Sequence, residues 1–204
     1  MPIKCFLLER TNIQRVYVRR YTNRQKVCSF PGCYGYHNSS KLLIECPAFF
    51  DDEERVVLDH GIERPSNTDP VWPVTCDCGY EFKDDDNRML LSYVMYKRQD
   101  TGELYRLRDA PPGAMWNSWW VDNDNPDGQY LTVKLPTGHE WDIDGQANNC
   151  TMKDDTVHRC WVRHGVAPDI TVDKNGNTCS AGAGSIMVPG YHGHLKNGYL
   201  TDSC

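Results

Sequence analysis

No stretch of this 204-residue chain approaches the roughly 18 consecutive apolar residues that cross a bilayer. The first residues, Met1-Pro2-Ile3-Lys4, open no long apolar centre and lead to no small-residue cleavage site, so a secretory signal is not expected either. No membrane partner is expected, and the chain reads as soluble and cytoplasmic. Long helices are disfavoured: 16 glycines, 12 prolines and 39% hydrophobic residues suit short strands and frequent turns. There is no excess of positive charge, because the formal net charge is −6, and nucleic acid is not expected as a partner. Regular Cys-x2-Cys pairs are missing as well, which excludes an ordinary zinc ribbon.

Cysteine itself is abundant. Ten cysteines in a chain without an export signal point to metal ligands or buried thiols rather than disulfides. Cys28, Cys33, His37 and Cys46 precede the turn-forming Cys76-Asp77-Cys78-Gly79. Thiolate and imidazole are zinc's preferred ligands, and a structural site needs four of them converging. The expected set is Cys33, Cys46, Cys76 and Cys78, with His37 and Cys28 as substitutes. The alternative is a group of buried thiols acting as small hydrophobes. Cys150, His158, Cys160 and His164 offer a second, irregular set that could bind metal, although its spacing favours buried thiols and surface imidazoles.

Charge is unevenly spread. Lys4, Arg10, Arg15, Arg19, Arg20, Arg24, Lys26 and Lys41 face only Glu9 within residues 1–41, and acidic runs follow at Asp51–Glu54 and Asp84–Asp86. Two solvated faces that attract each other is the plain reading; a basic dock for an acidic partner is the other.

Residues 13–21 alternate as a strand with Arg on its wet face, and residues 42–44 and 56–58 are short apolar strand candidates. Residues 88–98 suit a strand or a short helix. Hairpin turns follow at Asp100-Thr101-Gly102 and at Pro136-Thr137-Gly138, the second between strands at 130–135 and 139–143. Trp116, Trp119 and Trp120 form a core cluster or a lid over core, with a binding platform as the alternative. The expected fold is α+β, predominantly antiparallel β with short hairpins. A zinc-stabilised N-terminal portion (1–98) would join a hairpin-rich C-terminal portion (99–204), or the two would form one continuous domain.

The end of the chain carries the second chemical signal. Ser185 follows the small residues Gly182, Ala183 and Gly184, and a turn at Pro189-Gly190 leads to His192 and His194. A two-residue turn pairs Val188 with Tyr191, Met187 with His192 and Ser185 with His194. Ser185, Met187, His192 and His194 then share one face. An imidazole within reach of a serine hydroxyl can activate it as a nucleophile, and backbone N–H groups near Gly184 can approach an oxyanion without side-chain obstruction. A type I′ turn at Asn197-Gly198 pairs Asp202 with Gly193 and turns its carboxylate away from the histidines. Asp142, Asp144, Asp169 and Asp173 are the other candidates for an orienting acid.

The order Ser185-Ile186, a gap, then His192-x-x-Leu195-x-Asn197-Gly198 resembles the C-terminal end of the BubE-like family. These are small zinc-containing bacterial and phage proteins of ubiquitin-like conjugation operons, regarded as serine peptidases or deubiquitinase-like enzymes. The match covers roughly residues 169–200, and the family's Pro-Thr-Leu-Ser-Pro-Ser lead-in is replaced here by the stretch from Thr178 to Ser185. Longer phrases, such as those at 76–82, 109–116 and 158–165, resemble uncharacterised phage proteins. The BubE-like resemblance implies Ser185 as nucleophile, His192 as base, and a protein or ubiquitin-like substrate in a bacterial or phage-infected cell. Register alone places His194 opposite the serine, so both histidines stand as candidates. A non-catalytic zinc-binding phage accessory protein, docking through the basic N-terminal face or the tryptophans, is the competing reading. Metal-dependent hydrolysis at His158, Cys160 and His164 is a third.

Overall fold

Alternation of apolar and polar side chains drives nearly all the regular structure in the computed structural model, which describes residues 1–23, 26–31, 33, 35–57, 61–155, 157–177, 179, 181 and 184–203. In chain order the strands are β1 (Ile3–Lys4), β2 (Phe6–Tyr21), β3 (Val27–Cys28), β4 (Gly35–Tyr36), β5 (Asn38–Pro47), β6 (Asn87–Arg98), β7 (Leu104–Tyr105) and β8 (Ala114–Asn117). They continue as β9 (Leu131–Lys134), β10 (Glu140–Asp142), β11 (Val162–His164), β12 (Thr171–Asp173), β13 (Ile186–Val188), β14 (Tyr191–Lys196) and β15 (Tyr199–Asp202). The antiparallel, hairpin-rich part of the expected fold is present. The helical part is not: among the described residues the one helical element is a 3-10 turn at Leu107–Asp109. Residues 88–98, open to either state, lie in strand β6. No described helix is long and apolar enough to cross a membrane.

Two compact units result. One is Arg10–Met95; the other joins Met1–Glu9 to Tyr96–Cys204. Composition places the division at 98/99 and leaves the first residues with the N-terminal portion. Pairing places them elsewhere, because Ile3 and Lys4 pair with Leu200 and Tyr199, and Phe6 and Leu7 run parallel to Ala114 and Met115.

In the Arg10–Met95 unit, β2 pairs antiparallel with β5 from Ile13↔Pro47 to Tyr21↔Asn38. The inward positions of β2 are Gln14, Val16, Val18 and Arg20. Arg15 and Arg19 take the wet face, as the alternation predicts. Arg20 has the parity of the valines and is buried, where its guanidinium donates to the Lys83 carbonyl at 2.7 Å and lies over the Phe82 ring. Gln14, wholly buried, donates to Cys46 Sγ at 3.3 Å and accepts from the Ser92 hydroxyl at 3.0 Å, so one amide ties β2 to β5 and β6. The charge imbalance resolves locally. Arg10 pairs with Glu54, Arg15 with Glu45 and Lys26 with Asp86. Arg10 and Lys26 thus meet the acidic runs, whereas Arg15 meets Glu45 outside them; Arg24 and Leu58 lie outside the described residues.

In the other unit a four-stranded sheet has the order β1-β15-β14-β13, and β8 and β9 carry a second antiparallel ladder to β10. Its core gathers Met115, Leu131, Val133, Leu135, Ile143, Ile170, Val172, Ile186, Tyr191, Leu195 and Leu200. Trp116 is buried, whereas Trp120 is half exposed, so the tryptophans do not form a single core cluster.

Asp86 tests the first unit. Its carboxylate is buried, which raises its pKa. It also accepts from the Lys83 N–H, the Lys26 ammonium and the Tyr80 hydroxyl, and the balance holds it below the usual aspartate range. A depressed folded-state value means the stabilisation is fully present above about pH 4 and is lost as pH falls through that value. Asp86→Asn is expected to cost about 1–3 kcal/mol at neutral pH by leaving buried donors unmatched. The gap from wild type should close in acid, as read by denaturant unfolding at several pH values.

Candidate functional site

The hairpin β13–β14 sets the first site. Val188 pairs with Tyr191, Met187 with His192 and Ile186 with Gly193. Alternation then sorts the side chains: Ile186, Tyr191 and Leu195 face the core, while Met187 and His192 face outward. Between the histidines only glycine fits. A Cβ on Gly193 would lie 2.1 Å from the Thr201 carbonyl and 2.3 Å from the Tyr191 hydroxyl, which donates to that carbonyl. The following turn has positive φ at both Asn197 (48°) and Gly198 (73°), as type I′ requires, and it pairs Asp202 with Gly193.

Ser185 lies one residue before the β13–β14 ladder begins, so it does not pair with His194. Its Oγ is 3.2 Å from Nε2 of His192, the diagonal neighbour. A twisted antiparallel pair brings diagonal residues within reach of a long side chain. His194, also a candidate base, is not brought to the serine: its Nδ1 is 3.0 Å from the Ser203 hydroxyl. Burial first, then the charges of Lys196 and His192, pushes the His194 pKa down. Gly184 is exposed, with open space around it; Gly182 and Ala183 lie outside the described residues.

Ser185 and His192 open onto a cleft of about 860 Å³, lined also by Glu140, Asp142, Gln146 and Trp161. Of the aspartates considered as orienting acids, Asp142 alone lines this cleft, and one of its oxygens accepts from the Thr132 hydroxyl at 2.8 Å. Asp144 is committed to the Leu131 N–H and Arg163, and Asp173 to His164 at 2.9 Å. Asp169 sits against Gly198, and Asp202 shares its register position with Gly193. Among the described residues no carboxylate hydrogen-bonds His192.

The second kind of site is a cluster of sulfur ligands in the Arg10–Met95 unit. Cys28, Cys33, Cys76 and Cys78 bring their sulfurs within 4.8 Å of one another. Two turns present them. Cys28 ends β3 and Cys33 lies in the β3–β4 connection, and Cys76-Asp77-Cys78-Gly79 is closed by a hydrogen bond from the Gly79 N–H to the Cys76 carbonyl. Cys33 and Cys76 sulfurs are 3.2 Å apart, and His37 Nδ1 is 3.1 Å from Cys78 Sγ, its ring stacked on Tyr80. Burial, and next the Cys76 and Cys28 thiols, pushes the Cys33 thiol up. Cys46, expected among these ligands, lies apart from them: as part of the β2–β5 ladder it faces Gln14. Cys28 completes the four.

A further cluster in the other unit joins Cys150, His158, Cys160 and Cys179, all buried and likewise within 4.8 Å of one another. His164 is not among them, because it faces Asp173 across β11–β12. Cys179 replaces it. Sequence reasoning misses that cysteine because it stands 19 residues from Cys160 with no paired spacing, in the lead-in to Ser185. The one available hint is His158-x-Cys160, which repeats the ligand-x-ligand form of Cys76-x-Cys78.

If the first cluster holds metal, Cys28→Ser lowers bound metal by about one equivalent per chain, whereas Cys46→Ser leaves it unchanged; elemental analysis of purified protein decides this. No protein-family model, no curated protein and no solved structure matches this chain.

Proposed function

We propose that this protein is a serine hydrolase, a peptidase or deubiquitinase-like enzyme acting on a protein tail or a ubiquitin-like conjugate. The contact of 3.2 Å between Ser185 Oγ and His192 Nε2, in the wall of a cleft of about 860 Å³, carries this reading. The resemblance of the closing motif to the BubE-like family supports it, and with it a setting in the bacterial cytoplasm.

In this mechanism His192 Nε2 takes the hydroxyl proton as Ser185 Oγ attacks the scissile carbonyl carbon. The tetrahedral adduct collapses to an ester on Ser185, and His192 returns the proton to the departing amine. Water, deprotonated by the same imidazole, then attacks the ester and frees the serine. Asp142 and Glu140 are the carboxylates that share the cleft with the imidazole. The side-chain oxygen of Gln146 on the same wall suits accepting a hydrogen bond from an extended peptide backbone, its Nε2 being committed to the Asp155 and His158 carbonyls. Glu140 and Asp142 are acidic and the described lining holds no Lys or Arg, which favours a neutral or basic segment around the scissile bond.

The donor chemistry of Cys28, Cys33, Cys76 and Cys78 suits a structural zinc, which needs four closed ligands and no open position. Its part is to hold the two turns of that unit together, with His37 beside Cys78 as a supporting contact.

An interaction protein is the second reading, favoured by Leu42, Ile44, Phe49 and Phe50, which are exposed in the Arg10–Met95 unit. A fluorophosphonate probe separates the two. Wild type and His194→Ala should label, Ser185→Ala should not, and His192→Ala should label about 10²-fold or more slowly. Labelling that survives in Ser185→Ala, or is absent throughout, sinks the hydrolase.

A further inference from the structure

We propose that Cys150, His158, Cys160 and Cys179 form a second zinc centre, of Cys3His type, that braces the walls of the Ser185–His192 cleft. Two of its ligand–ligand distances match the edges of a single tetrahedral site, and all four ligand atoms lie within 4.8 Å of one another. With Zn–S of about 2.3 Å and Zn–N of about 2.0–2.1 Å, ligand atoms lie about 3.5–3.8 Å apart along the tetrahedron's edges. Cys160 and Cys179 sulfurs are 3.7 Å apart, and His158 Nε2 is 3.8 Å from Cys160 Sγ. The Met152 N–H points at Cys150 Sγ from 3.3 Å, the outer-shell donor a thiolate ligand takes. Thiols acting only as small hydrophobes would not require a buried imidazole directed into their midst. All four ligands are closed off from solvent, so the ion would be structural rather than catalytic.

The ligand loops are also the cleft walls. Ala147 packs against the cluster and lines the cleft together with Asn148 and Asn149, the residues just before Cys150. Trp161, next to Cys160, does the same from the other side. Gln146, another lining residue, is held by its amide to the Asp155 and His158 carbonyls. The third loop leads to the serine: Cys179 and Ala181 are buried in the cluster, and Lys174 Nζ donates to both of their carbonyls. Among the described residues of these loops there is no strand or helix, and the strand nearest to Ser185 begins one residue beyond it. Four metal–ligand bonds would supply what strand pairing does not. The consequence for catalysis rests on Ser185 being the nucleophile; the metal centre itself does not.

The test begins with zinc content of the purified full chain. Two zinc ions per chain are expected in wild type, and one each in Cys160→Ala and Cys28→Ala. Because Cys160→Ala can fail to fold, His158→Ala, which removes the imidazole and leaves the thiol core, is the second variant and should also hold one. A wild type with a single zinc that Cys28→Ala removes and His158→Ala keeps overturns the second centre. Hydrogen exchange reads the bracing: peptides carrying Ala147 and Ser185 should exchange about tenfold or more faster in His158→Ala. Exchange unchanged in a variant that has lost the ion overturns the bracing role. Two zinc ions in a wild type that takes no fluorophosphonate label would uphold the metal centre and count against the serine reading alone.

Discussion

The division of one hairpin into a core face and a wet face is the constraint on which the candidate site depends. Ile186, Tyr191 and Leu195 belong to the largest buried cluster of their unit, and none of them can turn outward without emptying it. Loss of one such side chain costs about 2–5 kcal/mol. With those three fixed inward, the period of two carries Met187 and His192 outward. Gly193 leaves room for the Tyr191 hydroxyl to reach the Thr201 carbonyl, which holds β14 and β15 in the register that the core demands. His192 is thus held by the packing beneath its strand, whereas Ser185 stands one residue outside the ladder, at the end of the loop that leads to β13.

On the proposed metal binding, the sulfur clusters would do for the loops what packing does for the strands. The described residues of 145–161 and 174–181 include no strand or helix. Each cluster draws ligands from turns distant in sequence, Cys28 with Cys78 in one unit and Cys150 with Cys179 in the other. With metal bound, a chain of short strands and many turns would gain order from such cross-links without needing a larger core. The two clusters share a form, a ligand-x-ligand pair plus two distant cysteines, although one has four thiols and the other an imidazole among three.

Much of this architecture is legible in the order of the residues, and what is not legible has physical reasons. The turn at Pro189-Gly190 and the pairing of Met187 with His192 follow from alternation and turn chemistry. The choice between His192 and His194 does not, because Ser185 stands just outside the ladder, where strict cross-strand pairing stops applying. Cys76-Asp77-Cys78-Gly79 announces itself by its spacing; Cys28 over Cys46 depends on which face of β5 a residue takes and on the buried Gln14 that claims Cys46. Arg20 reads as a surface cation from its type alone, yet its parity with Val16 and Val18 buries it. Cys179 carries no local signal, since its partners meet only in three dimensions. Among the described residues the expected α-helix is absent for a simpler reason: the 88–98 stretch fits both periods, and pairing with neighbouring strands decides it.

The central claim is that the hydroxyl of Ser185 is made nucleophilic by His192. Peptide-level mass spectrometry of the protein after reaction with a fluorophosphonate tests it most directly, because the phosphonyl group marks the attacking atom. The account predicts one adduct per chain, on Ser185. An adduct on another residue, or none at concentrations that saturate reactive serines, would contradict it.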